Sequence, residues 1–216
     1  MLDTGVQADH PEFGSRVSTN GWGYRKDDDA LTSYINATTT PDPKKPGHFL
    51  IDPCSSDTTS QQYTPSTFDT TTTPADNGTV DNNGHGTHVS GTIAGTLTGV
   101  AKNTNIIPVR ALDSCGAGTI QMLKAGLEWI LADHDPGERA VVNMSIGLDV
   151  RSPTIDNAAT DLLLEGIVVI AAAGNDWGSA CNHTPADTNG VVSVGAVGDD
   201  LLESRFSNYG SCVDRS

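Results

Sequence analysis

Downstream of residue 105 the chain alternates between continuous apolar runs and amphipathic ones. Residues 106–112 read as a strand. Thr119 is placed to cap a helix whose apolar positions, Ile120, Leu123, Leu127, Ile130 and Leu131, recur with a 3.6-residue period, and Pro136-Gly137 ends it. Residues 140–145 form the next strand. Ile155, Ala158, Ala159, Leu162 and Leu163 mark a second helix, which Gly166 is placed to stop. Residues 167–173 are continuously apolar, as in a strand buried on both faces, and residues 191–197 give one more strand. At the other end of the chain, residues 1–6 read as the end of a buried strand with Asp3 at its carboxyl end. Strands alternating with helices predict an α/β fold: a three-layer, doubly wound, mostly parallel sheet with helices on both faces. Ligands of such sheets bind at the carboxyl ends of the strands, where Asp3, Ser145-Ile146-Gly147 and Gly174-Asn175 all fall.

Two stretches depart from this alternation. From about residue 14 to residue 80 the periodicity dissolves into threonine runs, scattered aromatics and helix-breaking prolines, which predicts a surface insertion without a core of its own. Residues 81–95 follow, Asp-Asn-Asn-Gly-His-Gly-Thr-His-Val-Ser-Gly-Thr-Ile-Ala-Gly. A polar turn delivers His85 to a helix almost devoid of bulk. Glycine in a helix costs about 1 kcal/mol against alanine, so several together predict close burial against neighbours. An imidazole at the end of such a helix is placed as a general base.

Composition narrows the function. With 12 Lys+Arg against 27 Asp+Glu the formal charge is −15, which excludes nucleic acid as an expected partner because phosphate recognition needs a basic surface. No apolar run is long enough to span a membrane. Four cysteines, Cys54, Cys115, Cys181 and Cys212, lack the C-x-x-C spacing of a zinc site, leaving two disulfides or free thiols.

Asp3, His85 and Asn175 form a chemically sensible set. A carboxylate fixes the tautomer of an imidazole, the imidazole takes a proton from a nucleophile, and an amide donates to the developing oxyanion. Competing readings are weaker. His85 and His88 are three apart with no glutamate between them, which is not the H-E-x-x-H of a zinc protease, and His88 is expected to be a packed structural residue. His183 is expected at the surface. Asp3-Thr4-Gly5 has no second copy, as an aspartic protease would need. Gly116-Ala117-Gly118 lacks the G-x-G-x-x-G of a nucleotide loop.

In chain order, Leu2-Asp3-Thr4-Gly5-Val6, Asn83-Gly84-His85-Gly86-Thr87-His88-Val89-Ser90-Gly91-Thr92, Asn143-Met144-Ser145-Ile146-Gly147 and Ala171-Ala172-Ala173-Gly174-Asn175 together resemble the subtilisin-like serine peptidases (peptidase S8). The closing Arg205-Phe206-Ser207-Asn208-Tyr209-Gly210-Ser211-Cys212-Val213-Asp214 looks most like the proteinase K and aqualysin branch. The resemblance covers residues 1–13 and 81–216. It implies a serine endopeptidase with Asp3 as triad aspartate, His85 as base and Asn175 in the oxyanion hole. Ser145-Ile146-Gly147 and Gly116-Ala117-Gly118 would be the two edges pairing with substrate backbone. Ala172, Ala173 and Gly174 would line the pocket for the residue before the scissile bond, with small walls implying an apolar pocket and broad specificity. A structural calcium would use carbonyls of Asn189 and Val191 and the carboxylate of Asp214, and no organic cofactor is implied. Cys181 would pair with Cys212, and then Cys54 with Cys115. Polypeptide substrates, an accompanying pro-segment, a monomeric state and secretion complete the expectation. The family's nucleophile lies in a Gly-Thr-Ser motif that nothing here matches, so this is expected to be a partial chain, inactive by itself. A non-catalytic peptide-binding domain of the same fold is the alternative.

Overall fold

The computed structural model describes residues 1–23, 77–113 and 115–215. Its strands form two parallel sets. β1 (Leu2–Asp3), β2 (Trp22–Gly23) and β3 (Val109–Arg110) lie in the spatial order β1-β3-β2. β4 (Val141–Met144), β5 (Val168–Ala172) and β6 (Val192–Val194) lie in chain order, and β1 packs beside β4. Three α-helices connect them: α1 (His85–Ala94), α2 (Ile120–Asp133) and α3 (Pro153–Leu164).

The helix bounds have local causes. Thr119 Oγ1 accepts from the Met122 amide at 3.2 Å, capping α2. Pro153 opens α3, and Gly166 follows its end at φ +89°. Leu123 and Leu127 of α2 and Ile155 and Leu162 of α3 pack with Leu2, Val109, Val142 and Val169 in one core. At Gly126 a side chain would come within 3.1 Å of Leu2 and Val109, so α2 can lie close to the sheet only without one.

Side chains alternate across a strand. Leu2 therefore faces α2, while Asp3 faces the opposite side, where α1 packs on β1 and Ala94 joins a second apolar cluster with Val6, Phe13, Val17 and Ile106. Helices thus occupy both faces, as the sequence pattern predicts.

Three features differ from expectation. Residues 17–23, assigned by sequence to a surface insertion, carry sheet structure. Trp22 is buried in β2, its amide donating to Pro108 O at 2.9 Å, and Val17 bridges Ile106. The signal is one tryptophan in a polar stretch, too short to show a period. The apolar run 106–112 yields only Val109–Arg110 as strand, because Pro108 has no amide to give the ladder. β5 is covered on one face: Val169 and Ala171 are buried beneath α3, but Val168 is 45% exposed. An unbroken apolar run does not distinguish one covered face from two.

Candidate active site

The start of α1 meets the end of β1. His85 Nδ1 lies 2.6 Å from Asp3 Oδ1, with Asp3 fully buried and the His85 side chain 46% exposed. The same Asp3 oxygen accepts from the Thr4 amide at 2.8 Å. Asp3 Oδ2 is buried without a hydrogen-bond partner. Among the described residues His85 Nε2 has no partner either, so the imidazole presents a free nitrogen on its outer side.

Two further residues hold this junction. Thr4 Oγ1 accepts from the Gly86 amide at 2.9 Å and donates to Asp81 Oδ1 at 2.9 Å. Asp81 Oδ1 also accepts from the amides of Asn83 and Gly84, and its Oδ2 accepts from the amide and hydroxyl of Thr87. One carboxylate thereby gathers the amides of the helix start, which otherwise lack partners, and ties them to β1. Burial pushes the Asp81 carboxyl up, but the bonds from Thr87, Gly84 and Thr4 outweigh it and leave it below the ordinary carboxylate range. From sequence Asp81 reads only as part of a polar turn. The Asx chemistry of an aspartate placed shortly before a helix is the signal that points to its role.

A folded carboxyl held below its unfolded value stabilises the protein above that unfolded value, and the contribution disappears as pH falls through the folded one. Asp81→Asn removes one acceptor oxygen and is expected to cost about 1–2 kcal/mol near neutrality. In urea melts the gap between variant and parent should close in acid. A gap of unchanged size at pH 3 and pH 7 would count against this role for Asp81.

The two expected substrate edges lie in irregular stretches, one before α2 and one after β4. Gly116-Ala117-Gly118 form an exposed loop built on Asp113, whose Oδ1 accepts from the amides of Cys115 and Ala117. Gly116 has φ +71°, and a side chain on it would lie 3.6 Å from the Asn83 amide group, two residues from His85. Ser145-Ile146-Gly147 run on from β4 outside any strand pairing, until Leu148 and Thr184 exchange backbone bonds of 2.9 and 3.2 Å. Ala172 ends β5, and Ala173 and Gly174 follow it; Ala173 is buried, with its amide bonded to Val194 O. Asn175 is exposed just beyond, and among the described residues its side chain makes no hydrogen bond.

The turn bearing Asn175 is held by a residue whose role is not evident from sequence. Asn208 is fully buried. Its Nδ2 donates to Ala173 O at 2.9 Å, and its Oδ1 accepts from the amides of Asp176 and Gly178 at 3.0 and 2.8 Å. A Cβ on Gly174 (φ +105°) would sit 2.1 Å from Asn208 Nδ2, so this clamp requires glycine there. The Arg-Phe-Ser-Asn-Tyr-Gly motif that contains it carries the resemblance without revealing that function.

Among the expected calcium ligands, Asp214 Oδ2 accepts from the Ser193 amide at 2.9 Å, two residues after Val191. The other Asp214 oxygen has no partner among the described residues. An all-oxygen set of this kind suits calcium. Cys181 and Cys212 are joined by a disulfide. Cys54 lies outside the described residues, and with it the pairing to Cys115. Two histidines depart from expectation. His88 is exposed, because it lies on the solvent side of α1, and lines a cleft of about 570 Å³ with His10, Glu12 and Phe13. His183 is buried rather than at the surface, because the 180–184 turn folds beneath Gly174 and Gly178.

The site thus joins a buried carboxylate to an accessible imidazole. The chain matches the subtilase family, peptidase S8, over residues 1–216, and belongs to it. The extracellular serine proteinase of Thermus sp. (strain Rt41A) is 44% identical over 134 residues, which cover 62% of this chain and 32% of that protein. Alkaline serine exoprotease A of Vibrio alginolyticus is 43% identical over 134 residues, covering 62% and 24%. The crystal structure of a cold-adapted subtilisin-like serine proteinase superposes with a TM-score of 0.71 at 32% identity, covering 99% of this chain and 59% of that one. The chain therefore spans only 32% and 24% of those two curated relatives.

Proposed function

We propose that this chain is the aspartate- and histidine-bearing part of a secreted serine endopeptidase. The observation that carries the proposal is the 2.6 Å contact between His85 Nδ1 and Asp3 Oδ1. An ionised carboxylate only accepts, so the proton between them belongs to Nδ1 and the lone pair of neutral His85 is on Nε2. His85 then takes the proton of a serine hydroxyl as that oxygen bonds to the substrate carbonyl carbon. Asp3 holds the ring and stabilises the imidazolium. His85 returns the proton to the leaving amine as the C–N bond breaks, leaving an acyl-enzyme that water hydrolyses. The Asn175 amide, with backbone N–H groups, donates to the oxyanion. The nucleophile is proposed to lie on sequence outside these 216 residues, in a Gly-Thr-Ser context.

Substrate polypeptides would bind extended between the edges at residues 116–118 and 145–147, where backbone pairing gives affinity with loose sequence demands. Asn189, Val191 and Asp214 would hold a structural calcium, whose charge would tie the stretch around Asp214 to the turn before β6. Secretion agrees with a disulfide and with a relative named as extracellular. Among the described residues no helix is long and apolar enough to cross a membrane.

A serine-directed phosphonyl fluoride should label the folded full-length protein at one serine, and labelling should fail in His85→Ala. Absence of labelling in folded, peptide-binding protein would overturn the catalytic reading in favour of a non-catalytic peptide-binding domain.

A further inference from the structure

The turns that follow the 145–147 edge and the 172–174 pocket wall each carry an acidic residue, and these acids converge. Asp149 lies two residues beyond Gly147, and Asp176 follows Asn175. Their carboxylates and a ring nitrogen of His183 lie within 4.8 Å of one another. His183 is only 8% exposed, and among the described residues its ring makes no hydrogen bond; it faces both carboxylates, with Asp149 at 3.4 Å from Nδ1. The ring sits directly under the pocket wall, since a Cβ on Gly174 would come within 3.2 Å of its Nδ1. The Leu148–Thr184 bridge fixes the 145–147 edge to the same turn. The Asn208 clamp fixes the backbone of Asp176.

Among the described residues the one basic group facing the pair is His183 itself. Arg151, the basic residue near Asp149 in sequence, is turned to Asp187 at 2.8 Å and to Cys181 O. Neither Asp149 nor Asp176 has a lysine or arginine partner among the described residues. Two like charges this close raise each other's energy, and an arriving cation relieves both.

We propose that Asp149, Asp176 and His183 form the floor and rim of the pocket for the side chain preceding the scissile bond, and select arginine or lysine there. This rests on the peptidase reading above, and replaces the apolar, unselective pocket that the small walls of Ala172, Ala173 and Gly174 imply. Arginine is the better fit, because its planar fork bonds two carboxylates at once. The carboxylate of Asp149 is 77% exposed, so solvent weakens the pairing and the preference is moderate.

The test uses the full-length protein and peptide series differing only at that position. The ratio of kcat/KM for arginine over phenylalanine is expected to be about tenfold, to fall with added salt, and to approach one in the double variant Asp149→Asn/Asp176→Asn. Asp149→Lys, at an exposed position that tolerates change, should take the ratio below one. Cleavage favouring phenylalanine, or a ratio unmoved by both variants, would overturn the inference while leaving the peptidase reading intact. Loss of the ratio on adding calcium or zinc, with a binding site removed by Asp149→Asn, would assign the cluster to a metal and also overturn it. Failure to cleave any peptide, with no serine labelled, would remove the peptidase reading itself.

Discussion

Replacing His85 by alanine in the full-length protein is expected to lower kcat by about 10⁶-fold with little change in KM, and Asp3→Asn by about 10⁴-fold. These are the sizes that serine peptidases show for loss of the base and for the amide replacement of its carboxylate partner. The reasons for the ranking are local. Without His85 no group near Asp3 can take the proton. Asn in place of Asp3 leaves the ring in position but can donate to Nδ1, which moves the proton to Nε2 and removes the base. Asp3 is fully buried, so water cannot substitute for the lost acceptor. Steady-state assays of both variants, with circular dichroism to establish folding, decide the matter. Activity within tenfold of the parent in folded His85→Ala would exclude His85 as the base.

The second large effect concerns a residue with no side chain. A Cβ on Gly86 would lie 2.1 Å from Gly5 O and 3.1 Å from Asp3 Oδ1. The first neighbour is backbone and cannot rotate away, so α1 would have to move off β1. Gly86→Ala is expected to destabilise by about 3 kcal/mol, the upper range for overpacking. It should also lower kcat/KM by about 10²-fold or more through misplacement of His85. Gly91 lies on the same helix, and a Cβ there would meet nothing within 4 Å. Gly91→Ala should therefore stabilise by up to about 1 kcal/mol through helix propensity alone. Urea melts of the two variants should move in opposite directions; equal shifts would show that helix propensity, not close approach, governs α1.

The contrast between these glycines marks what a sequence can carry. Their abundance in α1 predicts a close-packed helix, but only contact with Gly5 and Asp3 separates the essential Gly86 from the dispensable Gly91. α2 is legible almost to the residue, because Thr119 caps it and its apolar period is clean. β2 is not, since a lone Trp22 has no periodicity to announce it. The proximity of Asp3 to His85 is invisible to local patterns across 82 residues; the chemistry of the two residues suggests the pair, and the family resemblance supplies its role. The same holds for Asn208, whose bonds reach back 35 residues to Ala173. The burial of His183 is equally hidden, because a histidine in a polar turn gives no sign that the turn folds inward.

The register of β1 has a kinetic meaning. Leu2 pairs with Val109, so the edge on which Asp3 stands exists only once the chain has closed over a long stretch of sequence. Ordering such a long loop precedes any gain from the contact, and folds dominated by distant pairings form slowly. The helices can form early; the carboxylate cannot meet its imidazole until the parallel pairing is in place. Formation of the Asp3–His85 contact is therefore expected to come late in folding, so that recovery of the site tracks the slowest refolding phase rather than the return of helical signal.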